Sequence, residues 1–291
     1  MKKTIWSHDF IIITLGTLIS AIGSTAMSFA LSLVVFDHTS STLMTGIFTA
    51  ISLMPTVLIP ILAAPLVDGC CRKRLIVMLD SGNGILYLLF AAFLLMQEFS
   101  YAGYLIFSLL TASFGAIYSL AYSSLYPDLI PKGFAQRGYS VSSLIYPSVT
   151  ALFTPVASLL YVHLGIAWIC AMEGILLLTA ALFEARIRYQ ETIGKRVFTL
   201  QKYKGDLMDG FRYLKKEKGI RSIYGYMAVT NASAEGINLV TMAMFQSSPI
   251  LTTTMYAFLT TADTIGRMAG GLMHYVLHIP AKKRYRVAVS V

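Results

Sequence analysis

Long apolar stretches recur along the chain, and each is long enough to cross the hydrocarbon layer of a membrane. A helix needs about 20 mostly apolar residues to span about 30 Å of hydrocarbon. Lipid offers no partner to a free backbone amide, so only helices and closed barrels cross it, and barrel strands are much shorter than these stretches. We therefore expect an all-α integral membrane protein with eight spanning helices, at residues 10–36, 45–67, 75–96, 101–125, 139–162, 166–183, 220–245 and 251–279.

The distribution of charge supports this interpretation. Of the 291 residues, 56% are hydrophobic and 13% are charged, and the formal net charge is +9. A basic chain could bind nucleic acid. However, 22 of the 23 Lys and Arg residues fall in alternate connectors, and the last, Arg267, lies in the eighth stretch. Because basic loops stay in the cytoplasm, we expect a multi-pass protein of a bacterial inner membrane, with both termini cytoplasmic and no nucleic-acid partner.

The longest polar stretch separates the sixth and seventh spans. Within it, Leu207, Phe211 and Leu214 repeat at helical spacing beside basic residues, which indicates an amphipathic helix. This helix lies either on the membrane surface or in solvent as a linker, and the two alternatives stay open. The predicted domains are an N-terminal six-helix half (1–185), a cytoplasmic linker (186–219) and an incomplete second half (220–291).

The chain shows no motif of an enzyme. Cys70 and Cys71 are adjacent and Cys170 stands alone, which is neither a disulfide framework nor a metal-ligand spacing. A membrane enzyme of lipid chemistry should carry Asp-rich or His-rich clusters in its loops, whereas these loops carry Lys and Arg. We expect no metal and no cofactor. Without a nucleotide motif, a transporter would have to use an ion gradient.

The connector between the second and third spans, Ala64 to Arg74, resembles the signature loop of the major facilitator superfamily. Leu66, Asp68 and the basic run match that loop, while other family positions are replaced by Ala64, Gly69 and Cys71. The resemblance implies a gate in which a carboxylate at a helix end pairs with opposing helix termini and guanidinium groups. The alternative is that the basic run only sets topology. The expected gate residues are Asp68, Arg72, Lys73, Arg74 and Asp80, the last as a partner of Arg72 or Arg74.

The resemblance covers roughly the whole chain and is closest to the macrolide-efflux and enterobactin-exporter branch. Residues 20–24, 29–31 and 39–41 are similar to its first helix and outer loop, and residues 126–132 resemble its loop after the fourth helix. Members have twelve helices in two halves. The resemblance thus implies a helical bundle with the first half and about two helices of the second. Because only a few apolar residues follow the last basic loop, we expect an interrupted protein.

The fifth span contains Thr150, Thr154, Pro155 and Ser158 at helical spacing. Antiporter branches of the superfamily carry a glycine-rich motif here, so these residues resemble a degraded form of it. Small residues at this spacing also let two helices pack closely, and proline bends a helix. We favour a helix-packing motif over an antiport signature.

Charged residues inside the predicted spans are the candidate functional groups, because they are costly in lipid. Asp263 and Arg267 lie four residues apart and can pair with each other. Glu235 has Asn231 and Asn238 on roughly one face and no basic neighbour in its span. We therefore expect Glu235 to take up and release protons, and we expect Glu173, which lies in a helix resembling an outer support of the family, to be hydrogen-bonded within its half.

These residues and the resemblance together predict a secondary transporter. In the superfamily, helices one, four, seven and ten line the cavity, which implies that Glu235 on the seventh helix is the coupling residue. The resemblance implies a proton-coupled exporter of amphipathic or drug-like small molecules that works by alternating access. Two alternatives stay open, a truncated membrane protein that does not transport and, less favoured, a lipid-modifying enzyme. The expected cavity residues are Ser20, Ser24, Tyr118, Tyr122, Asn231, Asn238, Glu235, Asp263 and Arg267.

Overall fold

The structure is a computed structural model that describes residues 4–39, 41–96, 99–189, 191, 200–247 and 253–276. All regular elements in these ranges are α-helices. They are α1 (His8–Thr39), α2 (Thr42–Asp68), α3 (Arg72–Met96), α4 (Tyr101–Leu129), α5 (Ala135–Leu164), α6 (Ile166–Glu184), α7 (Leu200–Lys216), α8 (Lys218–Ser247) and α9 (Thr253–Val276).

Six of these helices, α1 to α6, contain a segment long and apolar enough to cross a membrane. They coincide with the first six predicted spans. The seventh and eighth predicted spans are also helical, as α8 and α9, but among the described residues neither is one of those six. The physical reason is composition. Asn231, Glu235 and Asn238 interrupt the apolar sequence of α8, and the charged residues Asp263 and Arg267 interrupt that of α9.

Local sequence fixes where several helices begin. Ser41 and Ser100 have extended backbones, and their hydroxyls accept hydrogen bonds from Met44 N and Gly103 N at the starts of α2 and α4. Both are N-terminal caps. Gly165 joins α5 to α6 as a single residue with φ of 77°, a backbone conformation that glycine adopts without a steric penalty.

The helices α1 to α6 pack into one unit, called here the six-helix bundle, in which α6 packs against α1 and α3, α1 against α5, and α2 against α4. A close crossing joins α3 to α6 at Gly84 and Gly174. A Cβ added to Gly84 would lie 2.9 Å from the carbonyl oxygen of Gly174. Small residues at this crossing therefore let the two backbones touch.

Contacts divide the chain into two compact units, residues 1–194 with 268–291 and residues 195–267. In the second unit, α7 occupies the position of the predicted amphipathic helix, and only Glu217 separates it from α8. Asp209 and Arg212 form an ion pair of 2.6 Å on the exposed face of α7. The position of α7 on a membrane surface and the predicted domain boundaries at 185 and 219 stay predictions.

Candidate functional site

A cavity of about 670 Å³ lies inside the six-helix bundle. Its wall mixes hydroxyl groups, aromatic rings and carboxyl groups, and all six helices contribute to it. Ser20, Ser24, Tyr118 and Tyr122, which the sequence assigns to a cavity, lie in this wall. The polar and aromatic residues of the wall include Thr17, Ser20, Ser24, Ser28, Phe48, Thr49, Ser52, Thr56, Asp80, Asn83, Tyr87, Ser108, Thr111, Phe114, Tyr118, Ser119, Tyr122, Ser142, Tyr146 and Glu173.

Two carboxyl groups in the cavity wall are almost fully buried. Asp80 of α3 is 4% exposed and Glu173 of α6 is 2% exposed. Asp80 Oδ2 and Glu173 Oε2 lack hydrogen-bond partners in the described part of the chain, and neither residue belongs to an ion pair found there. The expectation that Glu173 is satisfied by hydrogen bonds is therefore not met at this oxygen.

A third carboxyl group, Glu184, is buried at the end of α6. It is fully shielded from solvent, and its Oε1 accepts a hydrogen bond of 2.6 Å from the hydroxyl of Tyr118. Asp80 interacts electrostatically with both Glu184 and Glu173. The interior of the bundle thus holds three neighbouring carboxyl groups contributed by two helices.

Glycine in α1 makes room for one of these groups. A Cβ added to Gly23 would lie 1.5 Å from Glu173 Oε2, whereas one added to Gly16 would keep an ordinary distance of 3.4 Å from Glu184 Cγ. Any larger residue at position 23 would therefore force the Glu173 carboxyl group to move. The sequence shows no signal for this contact, because it joins residues 150 positions apart.

The signature loop lies at the end of the bundle where α2 ends and α3 begins, called here the loop end. The guanidinium group of Arg72 lies 3.8 Å from Asp68 Oδ1 and 3.7 Å from Asp128 Oδ2. The ammonium group of Lys73 donates to the carbonyl oxygen of Ile187 at 2.5 Å, and Arg74 is exposed. Sequence reasoning missed Asp128 as a partner, although it stands in the loop of residues 126–132 that carries the family resemblance.

The structure does not show the expected pairing of Asp80 with Arg72 or Arg74, since no ion pair in the described part of the chain contains Asp80 or Arg74. Arg72 at the start of α3 turns toward Asp68 and Asp128, while Asp80, two turns further along the helix, faces the cavity. The eight-residue separation corresponds to about 12 Å along a helix, which places Asp80 in the interior of the bundle. Asp80 belongs with Glu173 in this structure and not with the loop.

Comparison with protein families decides which kind of bundle this is. The family model described as Major Facilitator Superfamily matches residues 13–291. The chain belongs to the major facilitator superfamily. Searches among curated proteins and among solved structures returned no match.

As a member of the major facilitator superfamily, the chain is a multi-pass membrane protein of a family of secondary transporters, and such transporters bind small-molecule substrates within the lipid bilayer. The all-α membrane bundle expected from the sequence is thereby confirmed. Among the described residues, no group of His, Cys, Asp and Glu side chains has the arrangement of a metal site.

Three candidate residues of this superfamily member lie in α8. Asn231 is exposed, and its side-chain nitrogen donates to the carbonyl oxygen of Met227 at 2.8 Å, one turn earlier on the same helix. The side chains of Glu235 and Asn238 lie outside the described residues. The role of Glu235 in proton coupling therefore stays a prediction.

Two further sets of residues from the sequence are placed on helix surfaces. Asp263 and Arg267 pair with each other at 2.9 Å, and both side chains are more than half exposed. In α5, the hydroxyl of Thr154 donates to the carbonyl oxygen of Thr150 at 2.6 Å, and Thr150 and Pro155 are exposed. The side chain of Ser158 lies outside the described residues, and the packing role of this motif stays a prediction.

Proposed function

We propose that the protein is a proton-coupled exporter of amphipathic, drug-like small molecules that works by alternating access. The single observation that supports this proposal most is the cavity with Asp80 and Glu173 in its wall. We place the loop end in the cytoplasm of a bacterial inner membrane, because the basic run Arg72, Lys73 and Arg74 lies there.

The chemistry of the cavity suits such molecules. A volume of about 670 Å³ is in the range of sites for drug-sized ligands. Aromatic rings such as Tyr87, Phe114 and Tyr146 offer apolar surface, and the hydroxyl groups offer hydrogen bonds in several directions. A wall of this kind favours broad recognition over a fixed pattern of polar contacts.

Asp80 and Glu173 supply the proposed coupling. Ionisable groups inside a membrane protein are costly unless they are paired or neutral, and they mark proton pathways in many transporters. Each of these two carboxyl groups becomes neutral when it binds a proton, so a proton gradient can change the charge of the cavity during a cycle. Glu235 remains a proposed additional coupling residue, on the basis of its place in α8.

The proposed gate is the set of contacts around Arg72 at the loop end. A pair of carboxylates, Asp68 and Asp128, holds the guanidinium group from the ends of two different helices. Both contacts are near the upper distance of an ion pair and are partly exposed, so they can break at a modest cost. Lys73 and Arg74 complete the basic run of the gate.

The residues that resemble the macrolide-efflux and enterobactin-exporter branch favour export as the direction of transport. Most of those residues lie in α1 and in the segment 126–132, which begins in the last turn of α4 and contains Asp128. We therefore include multidrug antiport within this proposal.

The test is rhodamine 6G efflux from proteoliposomes that contain the purified protein, driven by an imposed pH gradient. The wild type should export dye, and Glu173→Gln and Asp80→Asn should each lower the gradient-driven rate by about tenfold or more. The matched control is Glu217→Gln, which neutralises an exposed carboxyl group outside the bundle. Efflux that ignores the pH gradient would contradict proton coupling, and a wild type without efflux would contradict transport by this chain. Glu235→Gln tests the additional coupling residue in the same assay.

A further inference from the structure

We propose that Glu191 is a positioning residue of the gate, because its carboxylate caps the N-terminus of α3 and thereby holds Arg72 between Asp68 and Asp128. Glu191 Oε2 accepts a hydrogen bond of 3.0 Å from Arg72 N, and Glu191 Oε1 accepts one of 2.8 Å from Lys73 N. The two carboxylate oxygens therefore bind two successive amide groups at the start of the helix.

The sequence around α3 explains why a distant residue has this role. The first amide groups of a helix have no partner within the helix, and a side chain just before the helix normally accepts from them. The residue before Arg72 is Cys71, whose thiol is a weak acceptor. A carboxylate also interacts favourably with the positive end of the helix dipole, so Glu191 serves as the cap that the local sequence lacks.

Glu191 is held in place by the segment that follows α6, called here the strap and comprising residues 185–189 and 191. Ile187 is 1% exposed and packs into the apolar cluster at the loop end. Arg188 N donates to Asp9 Oδ1 of α1 at 2.8 Å, and Tyr189 interacts electrostatically with Asp128. The strap is thus fixed at three points before it reaches α3.

Contacts from three segments converge on Arg72. The backbone amide of Arg72 is bound by the strap, and its guanidinium group is paired with the end of α2 and the end of α4. A movement of the strap therefore changes the position of the first turn of α3 and, with it, the two ion pairs. This link to gating rests on the proposed function, whereas the capping contact does not.

The first test measures amide hydrogen exchange in lipid nanodiscs for the peptide that contains residues 70–76. Glu191→Ala should speed exchange at Arg72 and Lys73 by about tenfold, as expected for amides that lose a cap, and Glu191→Gln should have a smaller effect. Arg188→Ala is the matched control, because the strap uses only the backbone amide of that residue. Unchanged exchange in Glu191→Ala would overturn the capping role.

The natural cysteines provide a second measurement that a general loss of stability would not reproduce. Cys70 is exposed, Cys71 is partly buried and Cys170 is fully buried. In Glu191→Ala, a water-soluble maleimide should label Cys71 several-fold faster, while Cys170 stays unlabelled. Faster labelling of both residues would show that the bundle has loosened as a whole and would contradict a positioning role.

The dye assay separates this inference from the proposed function. In a wild type that exports rhodamine 6G, Glu191→Gln should change the maximal rate and leave the half-saturating dye concentration unchanged, because Glu191 lies outside the cavity. If exchange and labelling respond but no variant exports dye, the cap stands and the proposed function fails. If dye is exported and exchange does not respond, the cap fails and the proposed function stands.

Discussion

The carboxyl groups of the cavity and those of the loop end differ in what surrounds them. At the loop end, Asp68 and Asp128 pair with Arg72, and Glu191 binds two backbone amides. In the cavity, Asp80 and Glu173 have unpartnered oxygens in the described part of the chain. The loop-end carboxylates therefore hold structure in place, whereas the cavity carboxyl groups are left available to a proton or a ligand.

The largest expected effect comes from neutralising one carboxyl group of the cavity and, for comparison, one of the loop end. Glu173→Gln should abolish most of the response of dye efflux to a pH gradient, by about tenfold or more, without lowering thermal stability, because it removes a buried carboxyl group that has no cation. Asp128→Asn should lower stability slightly, and dye efflux by this variant should still respond to the pH gradient even where the loss of a gate contact lowers its rate. Both variants are tested by thermal unfolding and by dye efflux. A lower unfolding temperature for Glu173→Gln than for Asp128→Asn would contradict the comparison.

The next largest effect should come from the helix crossing that holds the cavity carboxyl groups together. Gly84→Ala places a methyl group 2.9 Å from the carbonyl oxygen of Gly174, and overpacking of this kind typically costs about 1–3 kcal/mol. The matched control is Gly46→Ala, where nothing lies within 4 Å of the added carbon. Thermal unfolding in nanodiscs should separate the two variants, and equal stability would show that α3 and α6 can move apart freely.

An effect of similar size is expected at Glu184, whose Oε1 has a hydrogen-bond partner while its Oε2 has none in the described part of the chain. Tyr118→Phe removes the hydrogen bond to Glu184 Oε1, and leaving a buried acceptor unsatisfied costs about 1–3 kcal/mol. Ser123→Ala is a control on the same helix, since Ser123 is exposed and bonds only to its own turn. Equal stability of Tyr118→Phe and that control would show that the Tyr118 hydrogen bond does not stabilise the bundle. Glu184 would then be grouped with Asp80 and Glu173.

The sequence predicts the local features of this protein better than the contacts between residues that are distant in the chain. The first six spans and α7 follow from local periodicity and composition, and the helices begin and end within a few residues of the predicted limits. Ser20, Ser24, Tyr118 and Tyr122 were also placed in a cavity, with the help of the family resemblance. Helical order and burial are encoded within each segment, so they can be read without knowing the partners.

The partners of the charged residues could not be predicted in the same way. Asp80 was expected to pair with Arg72 or Arg74, which are near it in sequence, yet Asp80 lies further along α3 and faces the cavity with Glu173. Glu191 gave no signal, because it reaches α3 from about 120 positions away. Long-range pairing depends on how helices cross, and the Gly84–Gly174 contact that sets this crossing consists of two residues without side chains.

The smallest predicted effect concerns the ion pairs of the gate and their dependence on salt. Asp128 and Asp68 are 43% and 58% exposed at the side chain, so each pair with Arg72 should contribute only about 0.2–1 kcal/mol. Raising the ionic strength to about 1 M shortens the screening length to about 3 Å and should erase the stability difference between Asp128→Asn and the wild type. The hydrogen bonds that the α3 amides donate to Glu191 are part-buried and less exposed to salt, so the stability difference between Glu191→Ala and the wild type should persist. Thermal unfolding at low and high salt measures both. Loss of both differences would mean that the cap is as exposed as the ion pairs and that the loop end has no salt-resistant contact at Arg72.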